Sequence, residues 1–183
     1  MVVYDSFLKA LDKLTGFFTM ITGDHRYIHE GKAFTSIISA TGVSSAYRIA
    51  FKTPAVTANK MIHWRPSFLS TSANYCAFVM TEGDTYTSGT ANVPINRNRF
   101  LVSSGDQKWN SRMQAVAYGV TSTPAGTVVE SAGYGTAGIP TSTAGGSGGE
   151  VNELVLKPDT VYVITITPAG ATDIVLKMFW YEE

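Results

Sequence analysis

Gly145-Gly146-Ser147-Gly148-Gly149 fits the G-x-S-x-G spacing by which serine hydrolases present a nucleophile. His25 and His29 stand four residues apart, as two metal ligands on one face of a helix would. Both patterns need a setting that the surrounding residues withhold. A nucleophilic serine sits between an apolar strand and a helix, whereas glycines flank Ser147 and generate the match by composition alone. The glutamate of His25-Arg26-Tyr27-Ile28-His29-Glu30 follows the second histidine instead of the first, glycines bound the segment, and the remaining histidine is His63. No phosphate-cradling loop and no acidic calcium loop occurs. The acidic residues fall in no recognisable pair for glycoside hydrolysis. The chain is therefore read as a non-enzyme, with no catalytic residue, no metal ligand and no cofactor.

The remaining chemistry is that of contact. Asn96-Arg97-Asn98-Arg99 gathers donors beside an apolar run, and the forked guanidinium groups of Arg97 and Arg99 suit carboxylates or phosphates. Fourteen Lys and Arg are balanced by fourteen Asp and Glu, so no broad basic field draws the chain to nucleic acid. A protein contact or an internal salt bridge is the reading for Arg97 and Arg99. Trp64 and Trp109 suit stacking on sugar rings, while Trp180 belongs to the Leu176-Met178-Trp180 alternation and reads as core. Cys76, the single cysteine, lies in the apolar run Tyr75 to Met80 and reads as a buried small hydrophobe.

The elements that must position these groups are legible in the spacing of apolar side chains. From about His29 onward, apolar residues recur at every second position, most clearly in Thr160 to Thr167 and in Ile174 to Tyr181. Successive side chains on a strand point to opposite faces, so this rhythm predicts antiparallel sheets. The predicted strands cover 34–41, 47–52, 60–68, 75–82, 95–103, 113–118, 127–131, 150–156, 160–167 and 173–181. Their number and the turn signals between them predict an all-β antiparallel β-sandwich of jelly-roll type. Pro66, inside the third run, predicts an edge strand or a bulge. Lys157-Pro158-Asp159 predicts a tight turn feeding a hairpin-like final pair.

Two segments differ from this body. Phe7, Leu8, Leu11, Leu14 and Phe18 recur at three- and four-residue intervals, with Lys9, Asp12 and Lys13 opposite. Asp5 or Ser6 suits the cap and Gly16 the stop of a short amphipathic helix from Ser6 to Thr15. Such a helix is too short to persist alone in water, so Phe7, Leu11 and Leu14 must dock, either on the body or on a partner. Gly133 to Gly149 holds seven of the 17 glycines and almost no charge, which predicts a long mobile loop. Gly145 and Ser147 are its candidate partner contacts. The chain divides on this reading into a helical arm, 1–28, and one β-sandwich body, 29–183, with the loop near 133–149.

A composition of 44% hydrophobic and 15% charged residues leaves an exterior of Ser, Thr, Asn and Gly with some apolar groups, which suits association with other subunits. The first residues carry neither the basic start nor the apolar core of a secretory signal, and no run approaches the roughly 18 apolar residues of a membrane span. The expectation is a protein made in a cytoplasm, with no membrane and no nucleic acid among its partners.

Five strings together resemble a group of small virion proteins encoded beside the major capsid protein of tailed bacteriophages. They are His29-Glu30-Gly31-Lys32-Ala33-Phe34, Phe51-Lys52-Thr53-Pro54, Pro94-Ile95-Asn96-Arg97-Asn98-Arg99, the glycine-serine run ending in Gly149, and Leu156-Lys157-Pro158-Asp159-Thr160. The resemblance covers roughly His29 to Glu183 and leaves the first 28 residues unmatched. It implies a capsid decoration, or cement, protein: a β-sandwich or jelly-roll homo-oligomer, dimeric or trimeric, bound outside the shell to the major capsid protein. The alternative is a receptor- or carbohydrate-binding module of a virion fibre or spike, with Trp64 or Trp109 stacking on sugar.

Overall fold

A computed structural model of the chain describes residues 23–55, 61–70, 75–98, 113–134, 144–147 and 153–182. In chain order its elements are α1 (Gly23–His29), β1 (Ala33–Val43), β2 (Tyr47–Lys52), β3 (Ile62–Ser70), β4 (Cys76–Glu82), β5 (Thr90–Ala91) and β6 (Ile95–Asn96). There follow β7 (Gln114–Tyr118), β8 (Thr127–Tyr134), β9 (Ala144–Ser147), β10 (Leu154–Leu156), β11 (Val161–Pro168) and β12 (Thr172–Glu182). The strands form two antiparallel sheets. Sheet I runs β10-β3-β12-β1-β6, with β9 also paired to β3, and sheet II runs β5-β7-β2-β11-β4-β8. From β1 to β4, and again from β10 to β12, each strand lies in the sheet opposite to the strand before it.

Period-two alternation explains the two layers. On β12, Ile174, Leu176, Met178 and Trp180 are buried; on β3, Ile62, Trp64 and Phe68; on β1, Phe34 and Ile38. These face Ile49 and Phe51 of β2, Phe78 and Met80 of β4, and Tyr162, Ile164 and Ile166 of β11 in one apolar cluster. Phe51 links the layers, with its ring 5.9 Å from Trp64 across the sandwich and 5.4 Å from Tyr162 in its own sheet. Each such fully buried large side chain contributes on the order of 2–3 kcal/mol. Cys76 is buried in the same cluster, as its apolar run predicts. Trp180 is likewise core, and so is Trp64.

Two junctions fix the ends of the strands. Thr53 Oγ1 donates to the Lys157 carbonyl at 2.6 Å and accepts from the Thr160 amide at 2.9 Å, while Lys52 pairs with Asp159 at 2.7 Å. At the other junction Asn96 Nδ2 donates to the Gly31 carbonyl at 2.8 Å, and Asn98 Nδ2 to the His29 carbonyl at 3.0 Å. The Arg97 amide donates to the Ala33 carbonyl at 2.9 Å.

Several expectations are corrected. Strand β3 is interior, flanked by β12 on one side and by β10 and β9 on the other, and it carries no bulge against β12. The proline is accommodated differently: β10 pairs with Ile62–Trp64 and β9 with Ser67–Ser70, so Arg65-Pro66 is the interval between the two. Met178, opposite Pro66 on β12, turns its carbonyl toward β1, where Thr35 Oγ1 donates to it at 3.0 Å. The missing N–H of Pro66 therefore faces the interval, where no ladder bond is lost. The final two strands do not form a hairpin, because β11 lies in sheet II and β12 in sheet I.

The glycine-rich segment is not a loop throughout. Gly133 belongs to β8, and Ala144–Ser147 form β9 along β3. Backbone pairing needs no apolar side chain, so a polar run can occupy the side of β3 that β10 leaves uncovered. The boundary at residue 28 also cuts through α1, whose Tyr27 is stacked on Tyr181 of the body. The helix expected from Ser6 to Thr15 lies outside the described residues.

Candidate functional site

Alternation that sends Ile62 and Trp64 inward sends His63 and Arg65 to the outer face of sheet I, and likewise Phe179 and Tyr181 beside the inward Met178 and Trp180. Antiparallel register sets these residues in rows. Ala33, Tyr181, His63 and Val155 form one row; Ile95, Thr35, Phe179 and Arg65 form the next; Ile37, Lys177 and Ser67 form a third. A polar and aromatic cluster occupies the first two rows, and a smaller apolar area borders them.

Glu153, just ahead of β10, is the centre of the cluster. Its Oε1 lies 2.6 Å from His63 Nδ1 and accepts from the Tyr181 hydroxyl at 2.7 Å, while its Oε2 accepts from Arg65 Nε at 2.7 Å and from the Arg65 terminal nitrogen. The side chains of His63, Arg65 and Glu153 retain only 14%, 16% and 19% of their exposure. Burial pushes the Glu153 carboxyl up, but the hydrogen bonds from Tyr181, His63 and Arg65 together outweigh it and hold the group below the usual carboxylate range. A stack of rings stands over it, with Tyr27 of α1 4.4 Å from Tyr181 and Tyr181 4.4 Å from His63, all nearly parallel.

A histidine–carboxylate pair orients the base in many hydrolases, where a nucleophilic hydroxyl or thiol completes the set. Here the other oxygen of the carboxylate carries Arg65 and the imidazole lies flat on a tyrosine. The arrangement ties four segments together: the approach to β10, β3, β12 and α1. Among the described residues no three His, Cys, Asp or Glu side chains are grouped to hold a metal ion.

Arg97 is the predicted contact residue that the structure places on this face. Its exposed guanidinium lies 4.5 Å over the half-buried ring of Phe179. Its neighbours, the buried Asn96 and the half-buried Asn98, hold the end of α1, so the Asn-Arg-Asn string serves the fold with its amides and the surface with its arginine. Next to Arg97, Ile95 and Ile37 are 44% and 50% exposed. At the opposite side of the sheet, the backbones of Gly145 and Ser147 pair with Leu69 and Ser67. Ser147 thus ends a strand and does not follow one, unlike a hydrolase elbow.

Phe7, Leu11, Leu14, Arg99 and Trp109 lie outside the described residues. Among the site residues Arg97 is legible from its donor-rich string, whereas Glu153, Tyr181 and Tyr27 carry no such signal. His63 and Arg65 sit at the polar positions of an alternating run, which marks them as outward-facing. Nothing local joins them to a glutamate about ninety residues away.

Compared with known proteins, the chain matches no family model, no curated protein and no solved structure.

Proposed function

We propose that the protein is a non-enzymatic, homo-oligomeric decoration or cement protein of a tailed-phage head. It binds the assembled shell of major capsid protein from outside and stabilises it by mass action. The observation that carries this reading is the strand connectivity. β1, β12, β3 and β10 adjacent in one sheet and β2, β11, β4 and β8 adjacent in the other support a jelly-roll reading of the sandwich. That architecture recurs in viral capsid and lectin domains, and the step from it to a role is one of analogy.

Further observations support the reading. Four of the five strings that carry the resemblance meet in pairs: 29–34 with 94–98, and 51–54 with 156–160, through the Asn96, Asn98 and Thr53 hydrogen bonds. Shared strings of this kind point to a shared fold. The hydrogen bonds that join Glu153 to His63, Arg65 and Tyr181 tie separate strands together, which suits cohesion more than turnover. Arg97, with Arg99 close behind it in sequence, and the β9 backbone of Gly145 and Ser147 are the contact candidates at the two sides of sheet I.

Purified protein mixed with expanded phage heads that lack it should sediment with them, saturating at a fixed ratio per local symmetry axis. Protein that stays in the supernatant at micromolar excess rejects the role. The lectin reading draws on the same connectivity. With Trp64 in the core, stacking on sugar falls to Trp109, and glycan-array binding abolished by Trp109→Ala would favour that reading over the first.

A further inference from the structure

We propose that the outer face of sheet II carries a binding site for an oxyanion, a carboxylate or phosphate group held by the guanidinium of Arg48 and the hydroxyl of Thr165. The alternation that sends Ile49 and Phe51 of β2 and Ile164 and Ile166 of β11 into the core sends Arg48 and Thr165 outward. The two are register partners, so their Cα atoms lie about 4.5–5.5 Å apart and their side chains leave the sheet together. Their row continues through Val79 and Ser131 and contains no acid. One step along the strands, Ala50 and Val163 are sealed under Tyr86 and Val120. The turn after β7 borders the site on its far side, where the Val120 amide donates to the Arg48 carbonyl at 3.2 Å.

Arg48 is distinguished by what it does not meet. Its Nε is buried without an acceptor, and among the described residues its guanidinium makes no ion pair or hydrogen bond. The described acids of sheet II and its loops are engaged elsewhere: Glu82 with Lys157, Asp159 with Lys52, Asp84 with the Ala125 and Gly126 amides, and Glu130 with the Ser131 amide. The fold therefore leaves this positive charge unneutralised, although a half-buried arginine ordinarily finds a carboxylate or carbonyl. Packing around Nε fixes the head of the side chain, while the terminal nitrogens open to solvent and present the end of the fork. A planar fork already held in place loses little freedom on taking up the two oxygens of a carboxylate or phosphate. Thr165 Oγ1, in no hydrogen bond among the described residues, supplies a further donor beside it.

The site lies on the face opposite to Arg97 and the Glu153 cluster and does not rest on the capsid reading. The test is titration of the full chain, labelled with nitrogen-15, with inorganic phosphate and separately with acetate, sodium chloride at matched ionic strength serving as the blank. The Arg48 Nε–Hε signal and the Thr165 amide are followed, with the exposed Arg26 and Arg97 as internal references. We expect at least one anion to move Arg48 and Thr165 together along one saturating curve with a midpoint in the millimolar range. Saturation by phosphate alone assigns the site to phosphate groups, and saturation by acetate assigns it to carboxylates. Thr165→Val removes one hydrogen bond to a charged group and should raise the midpoint about tenfold. Arg48→Lys keeps the charge, loses the fork and should raise it by at least as much. Shifts that stay linear, that Arg97 shows equally or that chloride reproduces overturn the proposal, as does a midpoint unchanged in both variants.

Discussion

Tyr181 stacks on His63 at 4.4 Å and, through its hydroxyl, shares Oε1 of Glu153 with the same histidine. One tyrosine therefore links an aromatic column to an ion cluster. Tyr181→Phe keeps the column and removes one hydrogen bond to a charged acceptor, and should cost about 1.5–3 kcal/mol. Tyr181→Ala also removes the seat of Tyr27 and should cost about 3–5 kcal/mol. Urea unfolding of both variants checks the order. Equal losses would show that the hydroxyl contributes and the stack does not.

Glu153 sets a pH dependence whose direction is fixed. Its carboxyl is held below the usual range in the folded protein, whereas in the unfolded chain it titrates near ~4.3. Between those values the unfolded state binds more protons, so the contribution to stability is complete above the unfolded value and is lost as pH falls through the folded one. Glu153→Gln should cost about 1–3 kcal/mol at pH 7. Its difference from the parent protein should shrink as the solution is taken below about pH 4. A difference that stays constant down to pH 3 would contradict the assignment.

Asp84 accepts from the Ala125 and Gly126 amides at 2.8 Å each, and from the Thr81 hydroxyl, while buried. A Cβ on Gly126 would lie 2.1 Å from the Glu82 carbonyl oxygen. Gly126→Ala should therefore destabilise by about 1–3 kcal/mol through steric displacement of this turn. Asp84→Ala should cost a similar ~1–3 kcal/mol by leaving the two amides unsatisfied. Because both act on one turn, the double variant should lose less than the sum. Thermal melts of the three proteins test this.

Asn96 and Asn98 act on α1 at a distance in sequence. Asn96 is 3% exposed and bonds the Gly31 carbonyl, so Asn96→Ala leaves a buried acceptor without its partner. A loss of about 1–3 kcal/mol is expected. Amide exchange at Glu30 and Lys32, which donate to Arg26 and Tyr27 carbonyls, should accelerate more than exchange in β11. Uniform acceleration would mean that α1 is not separately tethered.

The strands of the body were legible because each long one buries one face. The predicted 47–52 and the observed Tyr47–Lys52 coincide, and β1, β4, β11 and β12 differ from expectation by a residue or two at their ends. What escaped was whatever lacks that signature. β9 is Ala-Gly-Gly-Ser, β5 has two residues, and α1 is a single short helix whose place depends on Tyr181. The site escaped for the same reason: Glu153, His63 and Tyr181 become neighbours only through the β10-β3-β12 order of sheet I. Arg97 was legible as a donor in a donor-rich string. The structural work of the asparagines beside it was not, since their acceptors are backbone carbonyls that any sequence supplies.

β12 sits between β1 and β3, and β11 between β2 and β4. β11 and β12 follow in the chain every strand that they join, so sheet II cannot close before residue 168 is made, nor sheet I before residue 182. Nascent chains that stop short of β11 should remain open and chaperone-dependent. A protease cut or stop codon ahead of β11 would leave no half-built remnant, only loose ribbon.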